Sequence, residues 1–329
     1  MMPSYLPEPL PRFRAIYEAL YSEKGWAGET NSLRFAAVSA LACPGEPAEI
    51  AQKIRNIADE IKTKVGWFGD LRTSLRFIVS AMLIMNEDNV SDFLEETKRV
   101  HAMFRTTKLR NGGIYETMAI LIMRLSFFKA PIQMETLERF KAIYQQMKKY
   151  HWWLTGPDDF PACAILVTQK ESPEQIGSVI EKIYQELKLR GFTTGDYLQT
   201  AANILYLTHT EPVEIAERYS NLATAFRRAG VRMWQSDYDE LAILSFLESP
   251  PDFIVEKLLN YREEVKTLRP KPDSTLTFNL AASITFLELI RLNKKLKTVA
   301  DVKALLDMQA IINAAAAASA AAAGAAGAS

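Results

Sequence analysis

The sequence predicts an all-α fold, a helical-hairpin repeat array without a sheet. Three observations predict it. Prolines recur at a near-fixed interval, each ahead of an amphipathic run with a 3.6-residue period; short apolar runs punctuated by small residues lie between them; and no run alternates apolar and polar residues as a half-buried strand would. About seven hairpins result. They are compatible with an open α-solenoid or, if the ends meet, a closed α/α toroid, and a unit of about 40 residues favours the open array.

Pro47, Pro131, Pro173, Pro212 and Pro251 stand 84, 42, 39 and 39 residues apart. The doubled first interval has its missing member at Asn89, where Asn-Val-Ser-Asp opens a helix without proline. Proline suits a first helical position because the amide it lacks would be unpaired there. From Pro173 the apolar positions are Ile176, Val179, Ile180, Ile183, Tyr184 and Leu187; from Pro131 they are Met134, Leu137, Phe140, Ile143, Tyr144 and Met147. Steps of three and four place each set on one stripe. The segment ending Ile16-Tyr17-Glu18-Ala19-Leu20 matches the end of the Pro173 run, so the first long helix precedes the first proline of the series.

The long helices are expected to end at glycine followed by a bulky residue, as at Gly66-Trp67, Gly191-Phe192 and Gly230-Val231, because glycine adopts the left-handed cap conformation without steric cost. A few residues on comes an acid, Asp70, Asp158 or Asp159, Asp196 and Asp237, expected to accept from the free amides that start the next helix. Those next helices are short and apolar on most sides: Leu33 to Ala42, Leu75 to Met85, Tyr115 to Leu125, Phe160 to Thr168, Tyr197 to Thr208, Tyr238 to Leu247 and Phe278 to Leu289. Such helices are buried between neighbours.

The expected organisation is one helical domain over residues 1–310 and an Ala-rich helix or tail over 311–329. Alanine favours helix, and the small-residue surface offers packing within the molecule or between copies, a route to a homo-oligomer. Lys+Arg and Asp+Glu both number 39, and this zero balance argues against general nucleic-acid binding. Cys43 and Cys163 each lie in an apolar run, where cysteine is a small buried hydrophobe. Residues Met1 to Pro11 lack a charged-then-apolar leader and no apolar run could span a bilayer, so the expected location is cytoplasmic and no membrane partner is expected.

At Leu154-Thr155-Gly156-Pro157-Asp158-Asp159-Phe160-Pro161, with Tyr115-Glu116-Thr117-Met118-Ala119 and the alanine-rich tail, the chain resembles the bacterial domain of unknown function 4003 family over nearly its whole length. The resemblance implies a bacterial protein of similar length, and it brings no activity or catalytic residues.

No nucleophile elbow, phosphate loop, metalloprotease helix or dinucleotide fingerprint is present, and none of His101, His151 and His209 has a second ligand at metal spacing, so neither a cofactor nor a metal is expected. His101, among Arg99, Arg105 and Lys108, is expected to face solvent. All five tryptophans, Trp26, Trp67, Trp152, Trp153 and Trp234, fall in connectors from a long helix to the next short one. The acids Asp158, Asp159, Asp196 and Asp237 fall on the same edge. Capping and packing explain each ingredient, but His151-Trp152-Trp153 and Asp158-Asp159 exceed what a cap requires. The candidate binding residues are therefore His151, Trp152, Trp153, Asp158, Asp159, Trp67 and Trp234. The leading function is a non-enzymatic scaffold or adaptor for a protein or peptide. One alternative is glycan binding or processing on that edge, with Asp158 or Asp159 paired with Asp196 or Asp237 as catalytic carboxylates. Another is phosphate or nucleic-acid binding by Arg105, Lys108 and Arg110 with the tryptophans.

Overall fold

The computed structural model describes residues 8–22, 30–66 and 70–290. Among them there is no strand, and fourteen α-helices follow in order. These are α1 (Pro9–Ser22), α2 (Thr30–Ser39), α3 (Pro47–Lys64), α4 (Arg76–Met85), α5 (Val90–Thr106), α6 (Ile114–Ser126), α7 (Met134–His151), α8 (Phe160–Leu166), α9 (Pro173–Leu189), α10 (Asp196–Tyr206), α11 (Pro212–Arg228), α12 (Tyr238–Leu244), α13 (Pro251–Val265) and α14 (Ser274–Leu289). Single 3-10 turns precede three of the short helices, at Asp70–Arg72, Pro157–Asp159 and Gln235–Asp237. No described helix is long and apolar enough to cross a membrane. Trp26, Trp67 and the Ala-rich end lie outside the described residues.

Local chemistry sets the helix starts. Pro47, Pro173, Pro212 and Pro251 each occupy the first position of a long helix. Ser172 and Gln175 form a reciprocal capping box at α9: the Gln175 amide donates to Ser172 Oγ at 3.3 Å and the Ser172 amide to Gln175 Oε1 at 3.0 Å. Asn89, the proline-free start, accepts from the Asp92 amide at 2.8 Å. At Pro131 the helix begins three residues late, at Met134. Two residues of α5 hold the Ile132 backbone in the way: its amide donates to Glu96 Oε1 at 2.8 Å, and Arg99 Nη2 donates to its carbonyl at 2.6 Å. Gly191 and Gly230 take positive φ of 87° and 76° at the ends of α9 and α11, the left-handed geometry that lets Phe192 and Val231 turn back onto the last turn.

The described residues form two compact units, one up to Leu137 and one from Glu138 to Ile290. In the first, α1 packs on α2 and α3, α3 on α4 and α5, α2 on α4, and α5 on α6. In the second, α9 packs on α10 and α11, α11 on α12 and α13, and α13 on α14, while α10 neighbours α8 and α12, and α12 neighbours α14. Long helices thus lie beside long ones and short beside short within each unit. The short helices are buried on most sides: in α10 every residue from Leu198 to Tyr206 except Thr200 is buried, and in α14 every residue from Leu276 to Phe286. Both cysteines are buried and unbridged.

An arginine device not evident from periodicity closes the hairpins. Arg12 of α1 donates to the carbonyls of Leu41, Cys43 and Gly45 beyond α2. Arg139 of α7 likewise grips Val167, Gln169 and Glu171 beyond α8, and Arg218 of α11 reaches the Ser245 carbonyl at 3.2 Å. A guanidinium offers several donors to carbonyls that the helix end leaves without amide partners, at the negative end of the helix dipole.

In the second unit Phe160 fills the angle between Phe140 and Tyr144, edge-on to both at 5.3 and 5.4 Å. Nearby, α7 and α9 approach closely at Gly177, where an added Cβ would sit 2.8 Å from Gln146 Cβ. Gly177→Ala is therefore expected to destabilise the chain by about 1–3 kcal/mol by overpacking, even though alanine gains about 1 kcal/mol in helix propensity. A urea midpoint unchanged or raised would show that the helices part without cost.

Candidate functional site

The connector from α7 to α8 brings the candidate residues to the surface of the second unit in two opposite senses. His151, the last residue of α7, turns inward: its Nε2 lies 2.8 Å from Glu181 Oε2 of α9 and its ring centroid 4.3 Å from that of Tyr184. The Leu154 and Thr155 amides both donate to the His151 carbonyl at 3.0 Å, which closes a tight turn. That turn throws the two intervening indoles outward. Trp152 is 72% exposed and Trp153 64%, with ring centroids 5.9 Å apart and edge to face. The three rings that are consecutive in sequence are thus one buried packing ring and an exposed pair.

Asp158 and Asp159 divide in the same way. Asp158 is exposed. Asp159 is buried; its Oδ2 accepts from the Gly156 amide at 3.0 Å, while its own amide donates to the Gly156 carbonyl at 3.1 Å. The expected cap bond to the amides of the following helix is absent: Asp159 bonds backward and locks the 3-10 turn ahead of α8. Asp237 does the same in the α11–α12 connector, accepting from the Trp234 amide at 2.8 Å. An acid three residues into a turn reaches back to the amide that opens it more readily than forward.

Asp196 opens α10 and is exposed, as is Tyr197 beside it. One helical turn on, Gln199 lies on the same face and reaches back into the preceding connector. Its Nε2 donates to Asp159 Oδ1 and to Thr155 Oγ1, both at 3.4 Å, while its Oε1 is buried without a hydrogen-bond partner. Asp158, Asp159, Asp196, Thr155 and Gln199 therefore form one acceptor-rich cluster. Burial pushes the Asp159 carboxyl up to about 7; the Gly156 amide opposes this, and the charges of Asp158 and Asp196 add to it. Asp196 is raised too, by partial burial and then by Asp158.

In the α11–α12 connector Trp234 is 55% exposed and already covered: the Arg232 guanidinium lies 3.9 Å from its ring centroid. Below it, burial raises Asp237, and Glu240 of α12 is buried with its carboxyl pushed well up by burial and then by Asp239. Asp237 is thus a buried turn lock and Asp196 an exposed helix-start residue. Among the described residues no group of three His, Cys, Asp or Glu side chains could hold a metal ion.

Sequence reasoning missed several polar groups. Gln199, Asn203, Glu240 and Asn279 sit on short helices of the second unit, each with a buried side-chain atom lacking a hydrogen-bond partner. A polar residue inside an apolar run is the signal that would have found them. His101 does not simply face solvent: its Nδ1 lies 2.5 Å from Glu116 Oε1 and its Nε2 3.1 Å from Thr117 Oγ1. Carboxylate, imidazole and hydroxyl follow the order of an acyl-transfer triad, but the Thr117 hydroxyl is carried on a buried helical turn, and the arrangement clamps α5 to α6. A groove of about 440 Å³ lies between α11, α12 and α13, lined by Glu214, Glu217, Arg218, Glu248 and Pro251.

A family model described as Protein of unknown function (DUF4003) matches residues 16–317. A Bacillus subtilis (strain 168) protein described as Uncharacterized protein YeaA is 26% identical over 241 residues, which cover 71% of this chain and 70% of that protein. No solved structure matches.

Proposed function

The chain belongs to the DUF4003 family, whose description names no activity, and we propose from its own geometry that it is a helical-hairpin repeat scaffold. On this reading it is not an enzyme, and it holds a protein or peptide partner on the edge that carries Trp152 and Trp153. The observation that carries this is the outward-facing indole pair. Two adjacent tryptophans that are mostly exposed forgo burial that is worth several kcal/mol in a core. Aromatic residues of this kind are the anchors of protein interfaces. The alternation of long and short helices within each unit supports the repeat reading, since stacked hairpins present one row of connectors along an edge.

The test is selection of a random displayed peptide library on the immobilised full chain, with a glycan panel in parallel. Peptides retained by the wild-type chain are expected to lose about 2 kcal/mol of affinity or more, roughly thirtyfold, when Trp152 and Trp153 are both changed to alanine. Both rings are exposed, so the fold should tolerate the change. Retention of glycans by the wild-type chain, lost in Asp158→Asn, together with no selected peptide, would replace the scaffold with a glycan-binding protein.

A further inference from the structure

We propose that the Asp158–Asp196–Gln199 cluster, together with the Trp152–Trp153 pair, seats the guanidinium of an arginine carried by that peptide partner. The inference rests on the scaffold reading and names what the partner must present.

The cluster accepts and does not donate. Asp158 and Asp196 offer exposed carboxylates, and Gln199 Oε1 offers a carbonyl whose amide nitrogen is already committed to Asp159 and Thr155. Gln199 is 2% exposed, and that oxygen has no partner. A buried acceptor left unpaired costs about 1–3 kcal/mol, so a donor that meets it when the Gln199 side chain turns toward the surface recovers free energy the free chain forgoes. The charges that most affect Asp159 and Asp196 are neighbouring carboxylates. The lysines that end α7 do not neutralise them, because Lys148 and Lys149 lie over the rings of Tyr144 and Tyr150. The missing group is therefore a cation with several donors.

The α11–α12 connector shows which cation such a connector accommodates. There Arg232 lies over the Trp234 ring, so the chain supplies its own guanidinium to the exposed indole. In the α7–α8 connector the two indoles are exposed two and three residues before Thr155, and no cation of the described residues lies over either. A planar guanidinium meets both demands: its face stacks on an indole while its edge donates to carboxylates in a fork. An ammonium group has neither the plane nor the fork.

The peptides selected on the wild-type chain test this directly. They are expected to be enriched in arginine. Their affinity should fall about tenfold or more in the Asp158→Asn/Asp196→Asn double variant and on replacing that arginine with lysine. Both aspartates are exposed, and circular-dichroism melting of the variant checks that it folds. Free spermidine should not compete. Selected peptides that depend on Trp152 and Trp153 but lack arginine and ignore the aspartate changes would overturn this inference and leave the scaffold standing. Competition by spermidine as strong as by the peptide would also overturn it, in favour of a free polyamine. A library from which nothing is retained removes both proposals.

Discussion

Changing Arg124 to alanine is expected to destabilise the chain by about 3 kcal/mol or more, toward the 3–5 kcal/mol typical of a broken buried ion pair. Arg124, near the end of α6, donates from Nε and Nη2 to the two carboxylate oxygens of Asp88 at 2.6 and 2.8 Å. Their side chains are 7% and 2% exposed. The bond to Asp88 raises the Arg124 guanidinium further, against the opposing effect of burial. The pair ties α6 to the turn between α4 and α5. Without the arginine, the Asp88 carboxylate loses its partner in a place where water reaches it poorly. One feature moderates the loss: Asp88 Oδ1 also accepts from the Asn89 amide at 2.9 Å, at the positive end of α5. The effect should therefore fall at the lower end of the range. Urea denaturation followed by circular dichroism measures it, and Arg124→Met with Asp88→Leu serves as the control, since removing both charges should recover much of the loss. A single variant as stable as the wild type would mean that the pair is solvated and contributes nothing.

Neither member of that pair was legible in the sequence. Arg124 occurs in a run that reads as a buried helix, and Asp88 in a polar turn, with nothing local to connect them across 36 residues. The hairpin-closing arginines share the difficulty. Arg12, Arg139 and Arg218 sit on long amphipathic helices as ordinary polar-face residues, and their carbonyl partners lie about 30 residues on. Periodicity reports which face of a helix is apolar. It does not report which polar residue finds a distant partner.

What was legible rests on local physics. Helix starts at Pro47, Pro173, Pro212, Pro251 and Asn89 follow from a missing amide or a capping side chain, and both act within four residues. Pro131 misled by three residues because α5 competes for the Ile132 backbone, a tertiary effect. At the candidate site the sequence placed tryptophans and acids on one edge but could not assign their directions. The His151 carbonyl decides that: by accepting two amides it forces one ring in and two out. The partner of Asp159, Gln199, lies 40 residues away on another helix, so the acceptor cluster emerges only on folding.

The Asp159→Asn variant is expected to flatten the pH dependence of stability and to be more stable than the wild type at pH 8. Burial holds the wild-type carboxyl at about 7 in the folded chain, against an ordinary value of 3.8. Because the folded value is the higher one, the group's contribution is fully present below the unfolded value, near pH 4. It declines as pH rises and is lost on passing through about 7. The shift of roughly three units corresponds to about 4 kcal/mol as an order of magnitude. Asp237 and Glu240 are raised for the same reason and add in the same direction, so the wild-type chain should weaken between pH 5 and pH 8. Asparagine carries no charge to bury. Its carbonyl can accept from the Gly156 amide as Asp159 Oδ2 does, and its amide can donate to the unpaired Gln199 Oε1 once that side chain rotates. Urea midpoints of both proteins at pH 5 and pH 8 decide the matter; equal losses in the two would show that Asp159 ionises as an ordinary aspartate. The same substitution bears on the binding edge. A carboxyl that holds its proton near neutrality leaves the negative charge to Asp158 and Asp196, so arginine peptides should bind Asp159→Asn nearly as well as wild type at pH 6 and diverge only as the pH rises past 7, when the wild-type site gains a third charge.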